Sequence, residues 1–254
     1  MKTVILAGGL GSRLAEETHK IPKPMVKING EPILLHIIRL YNYHSLKRFV
    51  ICTGYKNHVV NRYFINKFSC KILLKKKNYL KIFIKKFNWT IEFVNSGINC
   101  NTGGRLLKAK KYLSDEKNFC LTYGDGLSNI NIKKLILFHK KKNKLATLTA
   151  VSPPARYGMV KIHKNGLAKF KEKIDNKDIT INGGFFVFNK KIFNILSKYS
   201  DSLEKNVLEK ISDNNKLIAF KHKGFWKAMD TLRDKIVLSE YLKRKKNSWY
   251  KQNK

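Results

Sequence analysis

Acidic residues are scarce in this chain: 17 Asp and Glu stand against 53 Lys and Arg in 254 residues, a formal charge of +36 at pH 7. Arginine is scarce as well, supplying only eight of the 53 cations. Bidentate reading of bases and phosphates favours the guanidinium group, so the lysine excess reads as compositional bias. Specific nucleic-acid binding is therefore not expected, whereas nonspecific, salt-sensitive adhesion to polyanions is. No apolar run approaches the roughly 18 residues of a membrane span, and Val4–Ala7 is too short and too soon followed by glycine for a signal peptide. The expectation is a cytoplasmic protein with no membrane insertion. The four cysteines, Cys52, Cys70, Cys100 and Cys120, form no C-x-x-C pair. That excludes a zinc-ribbon spacing and a small disulfide framework and leaves free thiols.

What is present is enough apolar material for a sizeable core, at 43% of residues, and a regular alternation of short apolar runs with amphipathic stretches. Such alternation marks strand and helix units around a mainly parallel or mixed sheet. Thr3–Ala7 reads as the first strand, Phe49–Cys52 as the second, and Pro32 as the start of a helix with a broad apolar stripe. Asn57 is placed to cap the next helix. Residues 71 to 86 hold seven lysines and no acid, and the stretch 70–89 reads as a lysine-rich lobe within a single domain spanning 1–254. Its apolar side is expected to pack on a neighbouring subunit; a membrane-surface helix is the weaker reading. Further strands are expected at Thr90–Val94, Asn118–Thr122, Leu145–Val151 and around 157 to 188. Two helices are expected around 190 to 212 and a last one from Leu232 to Lys243.

The first strand runs into Gly8-Gly9-Leu10-Gly11-Ser12-Arg13. Glycines there let backbone N–H groups approach phosphate oxygens, and Arg13 supplies charge. The lysine of a P-loop and the full G-x-G-x-x-G of dinucleotide binders are both missing. Ten residues on, Pro22 and Pro24 bracket Lys23, a rigid frame for a single cation. Fixed cations suit phosphoryl chemistry, because charge moving onto nonbridging oxygens and a departing pyrophosphate is stabilised without reorganisation.

The glycine-rich loop and the Pro-Lys-Pro pair resemble the signature of the sugar-phosphate nucleotidylyltransferases, and the likeness covers essentially the whole chain. It continues through Thr102-Gly103-Gly104-Arg105, Thr122-Tyr123-Gly124-Asp125-Gly126, Ala146–Ala150, Ile181-Asn182-Gly183-Gly184-Phe185-Phe186, Gly224-Phe225-Trp226 and Met229-Asp230-Thr231-Leu232-Arg233-Asp234. The resemblance implies a three-layer, Rossmann-like nucleotide-diphospho-sugar transferase fold with a small appended lobe, and an enzyme joining CTP to glucose 1-phosphate. It implies that Leu6, Ala7, Gly8, Gly9, Gly11, Ser12, Arg13 and Lys23 hold the nucleotide with Thr102 and Arg105 nearby, Arg13 and Lys23 being catalytic. It implies Mg²⁺ on Asp125 and Asp230, and a sugar-phosphate side made of Tyr157, Gly158, Glu172, Lys173, Asn182 and Gly183. A homo-oligomer, with six subunits in the family's pattern, is implied too.

The residues themselves leave alternatives open. Asp125 could be a turn-former, Asp230 the cap of the last helix, and Glu172 and Lys173 ordinary surface residues. Ser12 replaces the usual threonine, Ile174 replaces a proline after Glu-Lys, and Glu204–Leu208 lacks the usual Glu-Pro-Leu. Competing readings are the same chemistry with UTP, dTTP or another sugar 1-phosphate, a noncatalytic relative that kept the fold, and a basic polyanion binder.

Overall fold

Why the first strand must be covered on both sides follows from its residues: Val4, Ile5, Leu6 and Ala7 are all buried. Ile5 and Ala7 point into one core, and Val4 and Leu6 into another across the sheet. This period-two division of a continuous apolar run produces three layers. The computed structural model describes residues 1–153, 159–162, 167–171 and 179–244.

Among the described residues the central sheet has nine strands. In chain order they are β1 (Lys2–Ala7), β2 (Arg48–Thr53), β3 (Lys71–Lys76), β4 (Tyr79–Ile84), β5 (Trp89–Asn95), β6 (Asn118–Tyr123), β7 (Ala146–Val151), β8 (Ile181–Asn189) and β9 (Leu217–His222). Their spatial order is β9-β7-β8-β6-β1-β2-β5-β4-β3. The middle of the sheet, β6-β1-β2-β5, is parallel throughout. β8 runs antiparallel between β6 and β7, and β4 and β3 add antiparallel strands at the far edge. β9 pairs parallel with β7 at the opposite edge, so the sheet is mixed, with its longest parallel run in the four strands that carry the site.

Helix α1 (Ile33–Tyr43) buries Ile33, Leu34, Ile37, Ile38, Leu40 and Tyr41 against one face. Helix α2 (Asn57–Lys67) places Val60 and Phe64 in the same core. Its N-cap is Lys56, in the left-handed region at φ 47° and without a side-chain cap, so the expected role of Asn57 as cap is not realised; Asn57 is the first helical residue. Helix α3 (Thr102–Ala109) covers the opposite face through Leu106 and Ala109. Helices α4 (Ile132–Lys142) and α5 (Leu232–Lys243) complete the first layer. Two helical segments stand around 190 to 212 as expected: a 3₁₀ helix at Lys190–Asn194, and a continuous helix that is π-helical at Leu203–Leu208 and α-helical at Glu209–Asp213. Among the described residues no helix is long and apolar enough to cross a membrane.

Residues 71 to 84 extend the sheet. β4 alternates, with Leu80, Ile82 and Ile84 buried, whereas the edge strand β3 is exposed along its whole length. Lysines on an edge strand oppose pairing with another chain by charge repulsion. Of the thiols, Cys52, Cys100 and Cys120 are buried and none is bridged. Burial pushes Cys52 and Cys120 up to about 12, which keeps them as thiols at neutral pH.

Phe64 is fully buried, with the ring of Phe93 at 5.4 Å and that of Phe68 at 5.9 Å. Phe64→Ala is expected to cost about 3–5 kcal/mol of stability by leaving a cavity. Urea denaturation monitored by fluorescence measures it, and a midpoint unchanged from wild type would contradict the assigned packing.

Candidate active site

The carboxyl ends of β1, β2, β5 and β6 lie at one edge of the sheet, the place where open α/β sheets collect ligands. A cleft of about 600 Å³ opens there. Its floor is the end of β1 and the loop after it: Leu6, Ala7, Gly8, Gly9, Gly11, Ser12 and Arg13 all line it. Gly11 has φ 71°, a left-handed conformation, and a Cβ there would stand 3.0 Å from Lys23 Cβ and 2.9 Å from Thr18 Cγ2. Gly8 is more constrained still, since a Cβ would fall 1.7 Å from Arg105 Nη1.

Lys23 is 6% exposed, and its ammonium donates to Asp125 Oδ2 at 2.7 Å and to Asp230 Oδ1 at 2.8 Å. Burial works against its charge, but the attraction and hydrogen bonds of the two carboxylates outweigh that cost and raise its pKa above the ordinary lysine value. Arg13 Nη1 donates to the other oxygen of Asp230 at 2.8 Å. Two cations and two aspartates from four separate segments therefore meet at one point.

A two-stranded ribbon brings the aspartates together. Gly126–Ser128 pairs antiparallel with Trp226–Ala228, opposing Gly126 to Ala228, and the Met229 N–H closes the ladder on the Asp125 carbonyl at 2.9 Å. On the other side, Gly124 N–H donates to the Leu6 carbonyl at 2.9 Å, locking the Asp125 turn to the glycine loop. Asp230 is not the cap of α5. That role belongs to Thr231, whose hydroxyl accepts from the Asp234 N–H at 3.2 Å while Asp234 Oδ2 accepts from the Thr231 N–H at 3.0 Å. The same Asp234 oxygen accepts from the Asp230 N–H at 3.0 Å, so the capping box also fixes the backbone of Asp230 and leaves its side chain free for the cleft. Lys227 pairs with Asp234 at 2.6 Å; burial raises the Asp234 pKa, and the hydrogen bonds from Lys227 and Thr231 more than reverse this.

Thr102 and Arg105 stand on the first turns of α3. Thr102 lines the cleft directly. Arg105 is 5% exposed and lies under Gly8, donating to Ser96 Oγ at 2.9 Å and to the carbonyls of Gly97 at 3.3 Å and Ile98 at 3.4 Å. No carboxylate pairs with it among the described residues. It is a buried positive charge backing the glycine loop. Burial lowers its pKa from the ordinary arginine value, while the cysteines nearby raise it less.

Asn182 and Gly183 form the opposite wall, where Asn182 Oδ1 accepts from Gly184 N–H at 2.9 Å and the Gly183 carbonyl accepts from Trp226 Nε1 at 2.6 Å. Tyr157, Gly158, Glu172 and Lys173 lie outside the described residues. One acidic group in the cleft escaped the sequence reading. Glu204 accepts from Thr102 Oγ1 at 2.7 Å, from Ser202 Oγ at 2.8 Å and from the Tyr123 hydroxyl. Burial favours its neutral form, yet the hydrogen bonds from Tyr123, Thr102 and Ser202 hold its pKa below the ordinary value. The counterpart is that burial and the neighbouring Glu204 charge keep the Tyr123 phenol protonated. The only sequence signal for Glu204 was its place in a segment that departs from the familiar Glu-Pro-Leu.

With this geometry in hand, the comparisons are decisive at the level of family. The model of the family described as nucleotidyl transferase matches residues 2–241. The chain belongs to that family. A glucose-1-phosphate cytidylyltransferase of Salmonella typhimurium is 42% identical to this nucleotidyl transferase over 253 residues, covering 98% of both chains. A probable glucose-1-phosphate cytidylyltransferase of Bacillus subtilis is 37% identical over 254 residues, covering 98% of this chain and 99% of its own. Among solved structures, HddC from Yersinia pseudotuberculosis superposes with a TM-score of 0.68 at 25% identity, covering 95% of this chain and 99% of that one. A UDP-glucose pyrophosphorylase bound to UDP-glucose shares the fold at a TM-score of 0.70 and 18% identity, covering 96% of this chain and 98% of that one.

Because Asp234 holds both the α5 cap and the Asp230 backbone, Asp234→Ala is expected to cost about 1–2 kcal/mol of stability and to reduce turnover by this nucleotidyl transferase. Urea denaturation and a pyrophosphate-release assay on the same preparation check the two effects. A variant that keeps full activity would detach the cap from the site.

Proposed function

We propose that the protein transfers the cytidylyl group of CTP to α-D-glucose 1-phosphate, giving CDP-glucose and pyrophosphate. The choice of CTP and glucose 1-phosphate is supported by the 42% identity, over nearly the full length of both chains, to a glucose-1-phosphate cytidylyltransferase. The chemistry is supported by one observation above the others, the convergence of Asp125, Asp230 and Lys23 beside the glycine loop.

In the reaction a phosphate oxygen of glucose 1-phosphate bonds to the α-phosphorus of the triphosphate, and the bond from that phosphorus to the bridging oxygen of pyrophosphate breaks. The attacking oxygen is already anionic at neutral pH, so no general base is needed, and among the described residues the cleft presents no Ser-His-Asp or Cys-His arrangement. What the chain must do is place two mutually repelling anions and stabilise charge as it moves. The backbone of Gly8–Arg13 is assigned to the triphosphate, with Arg105 behind Gly8 making the potential under the loop positive. Lys23, held between Pro22 and Pro24, and Arg13 at the cleft mouth are assigned to charge on the nonbridging and leaving oxygens. Asn182 and Gly183, with Tyr157, Gly158, Glu172 and Lys173, are assigned to the sugar phosphate.

Asp125 and Asp230 suit Mg²⁺. Their oxygens already flank a cation, the Lys23 ammonium, and two carboxylates are what Mg²⁺ takes when phosphate oxygens and water complete its shell. Among the described residues no cluster of three or more His, Cys, Asp or Glu offers a fuller cage. When bound there, the ion supplies Lewis-acid stabilisation of the triphosphate. The reading extends to a homo-oligomer in the cytoplasm. Self-association is supported by the exposed Ile72, Leu73 and Leu74 on the edge strand, which are 48, 45 and 44% accessible.

The test is pyrophosphate release measured with CTP, UTP, dTTP and GTP, each against several sugar 1-phosphates, with and without Mg²⁺. CTP with glucose 1-phosphate is expected to be fastest and to require the ion. Lys23→Gln is expected to lower kcat/KM by about 10²–10³-fold with the fold retained. Preference for another triphosphate would overturn the base assignment, and full activity of Lys23→Gln would overturn the mechanism.

A further inference from the structure

A second concavity lies behind helix α3, separate from the cleft. It is a groove of about 990 Å³, at the upper end of the size of small-molecule sites. Five lysines line it, Lys108, Lys110 and Lys111 from the end of α3 and the turn after it, and Lys190 and Lys191 from the turn after β8. No Asp or Glu is among its lining residues, and none of the five lysines has an ion pair among the described residues.

Three rings accompany the lysines. Lys108 Nζ lies 4.9 Å from the ring centre of Tyr199, Lys111 Nζ 5.0 Å from that of Tyr112, and Lys110 Nζ 6.0 Å from that of Phe193. Tyr112 is already stacked on Tyr79, at 4.6 Å and nearly parallel, whereas Tyr199 is 58% exposed. Leu107, Leu113 and Val94 give the floor an apolar character. A solvated lysine face would explain the charges alone. It would not explain a concave groove with apolar residues in its lining, an exposed aromatic ring and cations from two separate segments. That combination matches a ligand with a flat ring at one part and phosphate at another.

The groove also touches the machinery of the cleft through one residue. The Tyr199 carbonyl accepts from the Asn101 N–H at 3.3 Å and from Cys100 Sγ at 3.5 Å, and both those residues line the cleft. The same oxygen would stand only 1.9 Å from a Cβ on Gly104, so Tyr199 and the first turn of α3 are in direct backbone contact. A ligand that shifts the Tyr199 backbone would therefore bear on Cys100 and Asn101.

We propose that this groove is a regulatory site for a phosphorylated nucleoside, with the base on Tyr199 and the phosphate on the lysines, and that its occupancy alters triphosphate binding through the Tyr199 contact. The reading goes beyond the proposed reaction and is tested first without turnover. Isothermal titration calorimetry with ADP, GDP, CDP and UDP, in the absence of divalent metal, is expected to find a second equivalent per chain for at least one of them. Lys110→Gln/Lys191→Gln is expected to weaken that second equivalent at least about tenfold, while Lys23→Gln spares it. Initial rates add the coupling: inhibition of wild type should have a noncompetitive component that the double variant lacks, with its uninhibited kcat/KM unchanged. Should the double variant fold poorly, Tyr199→Leu, which keeps the backbone contact, serves in its place.

A single equivalent for all four diphosphates, or a second one of equal strength in the variant, would overturn the site. Equally tight binding of inorganic tripolyphosphate would overturn the nucleoside assignment. Purely competitive inhibition of wild type by a probe that fills both sites would overturn the coupling.

Discussion

The ammonium of Lys23 has almost no contact with water, and the carboxyl edge of the sheet is arranged around keeping it charged. A buried lysine with no partner loses its proton or forces the structure open. Here two aspartates supply the balance, and each is delivered by its own device. The Asp125 turn is bound to Leu6 beneath it, and the ribbon of Gly126–Ser128 with Trp226–Ala228 carries Asp230 back from a point 105 residues further along the chain. The same charge balance explains the prolines: a flexible loop at 22 to 24 would let Lys23 reach solvent and leave the carboxylates facing one another.

Much of this was legible in the residue pattern. A strand that reads Thr3-Val4-Ile5-Leu6-Ala7 has no polar face, so it must lie mid-sheet, and the glycines after it mark where the backbone meets something close. Asp125 in a Gly-Asp-Gly turn at the end of a strand points to the carboxyl edge on general grounds. What stayed hidden depends on distant partners. The antiparallel insertion of β8 between β6 and β7 decides where Asn182 and Gly183 face, and strand direction leaves no mark on the apolar Phe185–Phe188 run that buries it. Local capping rules also misjudged helix ends. Asn57 has the right chemistry for a cap but the chain turns through Lys56, and the alternative of Asp230 as a cap gives way to Thr231, three residues before Asp234.

Glu204 shows the limit most clearly. In sequence it is an acid between Leu203 and Lys205, marked only by the departure of its segment from Glu-Pro-Leu. Its environment comes from Thr102 on α3, Tyr123 at the end of β6 and Ser202 beside it, three hydroxyl donors that no spacing rule connects. Together they keep a carboxylate ionised in a half-buried position beside the glycine loop, a costly choice unless the negative charge serves to aim Thr102 and Tyr123.

The lysine excess then separates into parts with different physics. On the edge strand β3 the lysines are exposed on all sides and act mainly to discourage strand pairing, in tension with the apolar Ile72, Leu73 and Leu74 between them. Lys23 is the opposite case, enclosed and neutralised. Between these extremes stand Lys108 and its neighbours. Lys108 donates to the Ser96 carbonyl at 2.9 Å, on the same segment whose hydroxyl holds Arg105. One short helix thus presents an unpaired guanidinium to the glycine loop on one side and an ammonium to the groove on the other. Both are anchored on Ser96, so a shift of that segment is felt on both sides of α3. A chain with so little negative charge has few ways to hold its cations in place except through backbone carbonyls. Where carbonyls do the holding, position is set by the fold and not by a mobile counterion, which is why a cation at such a site acts on what lies next to it.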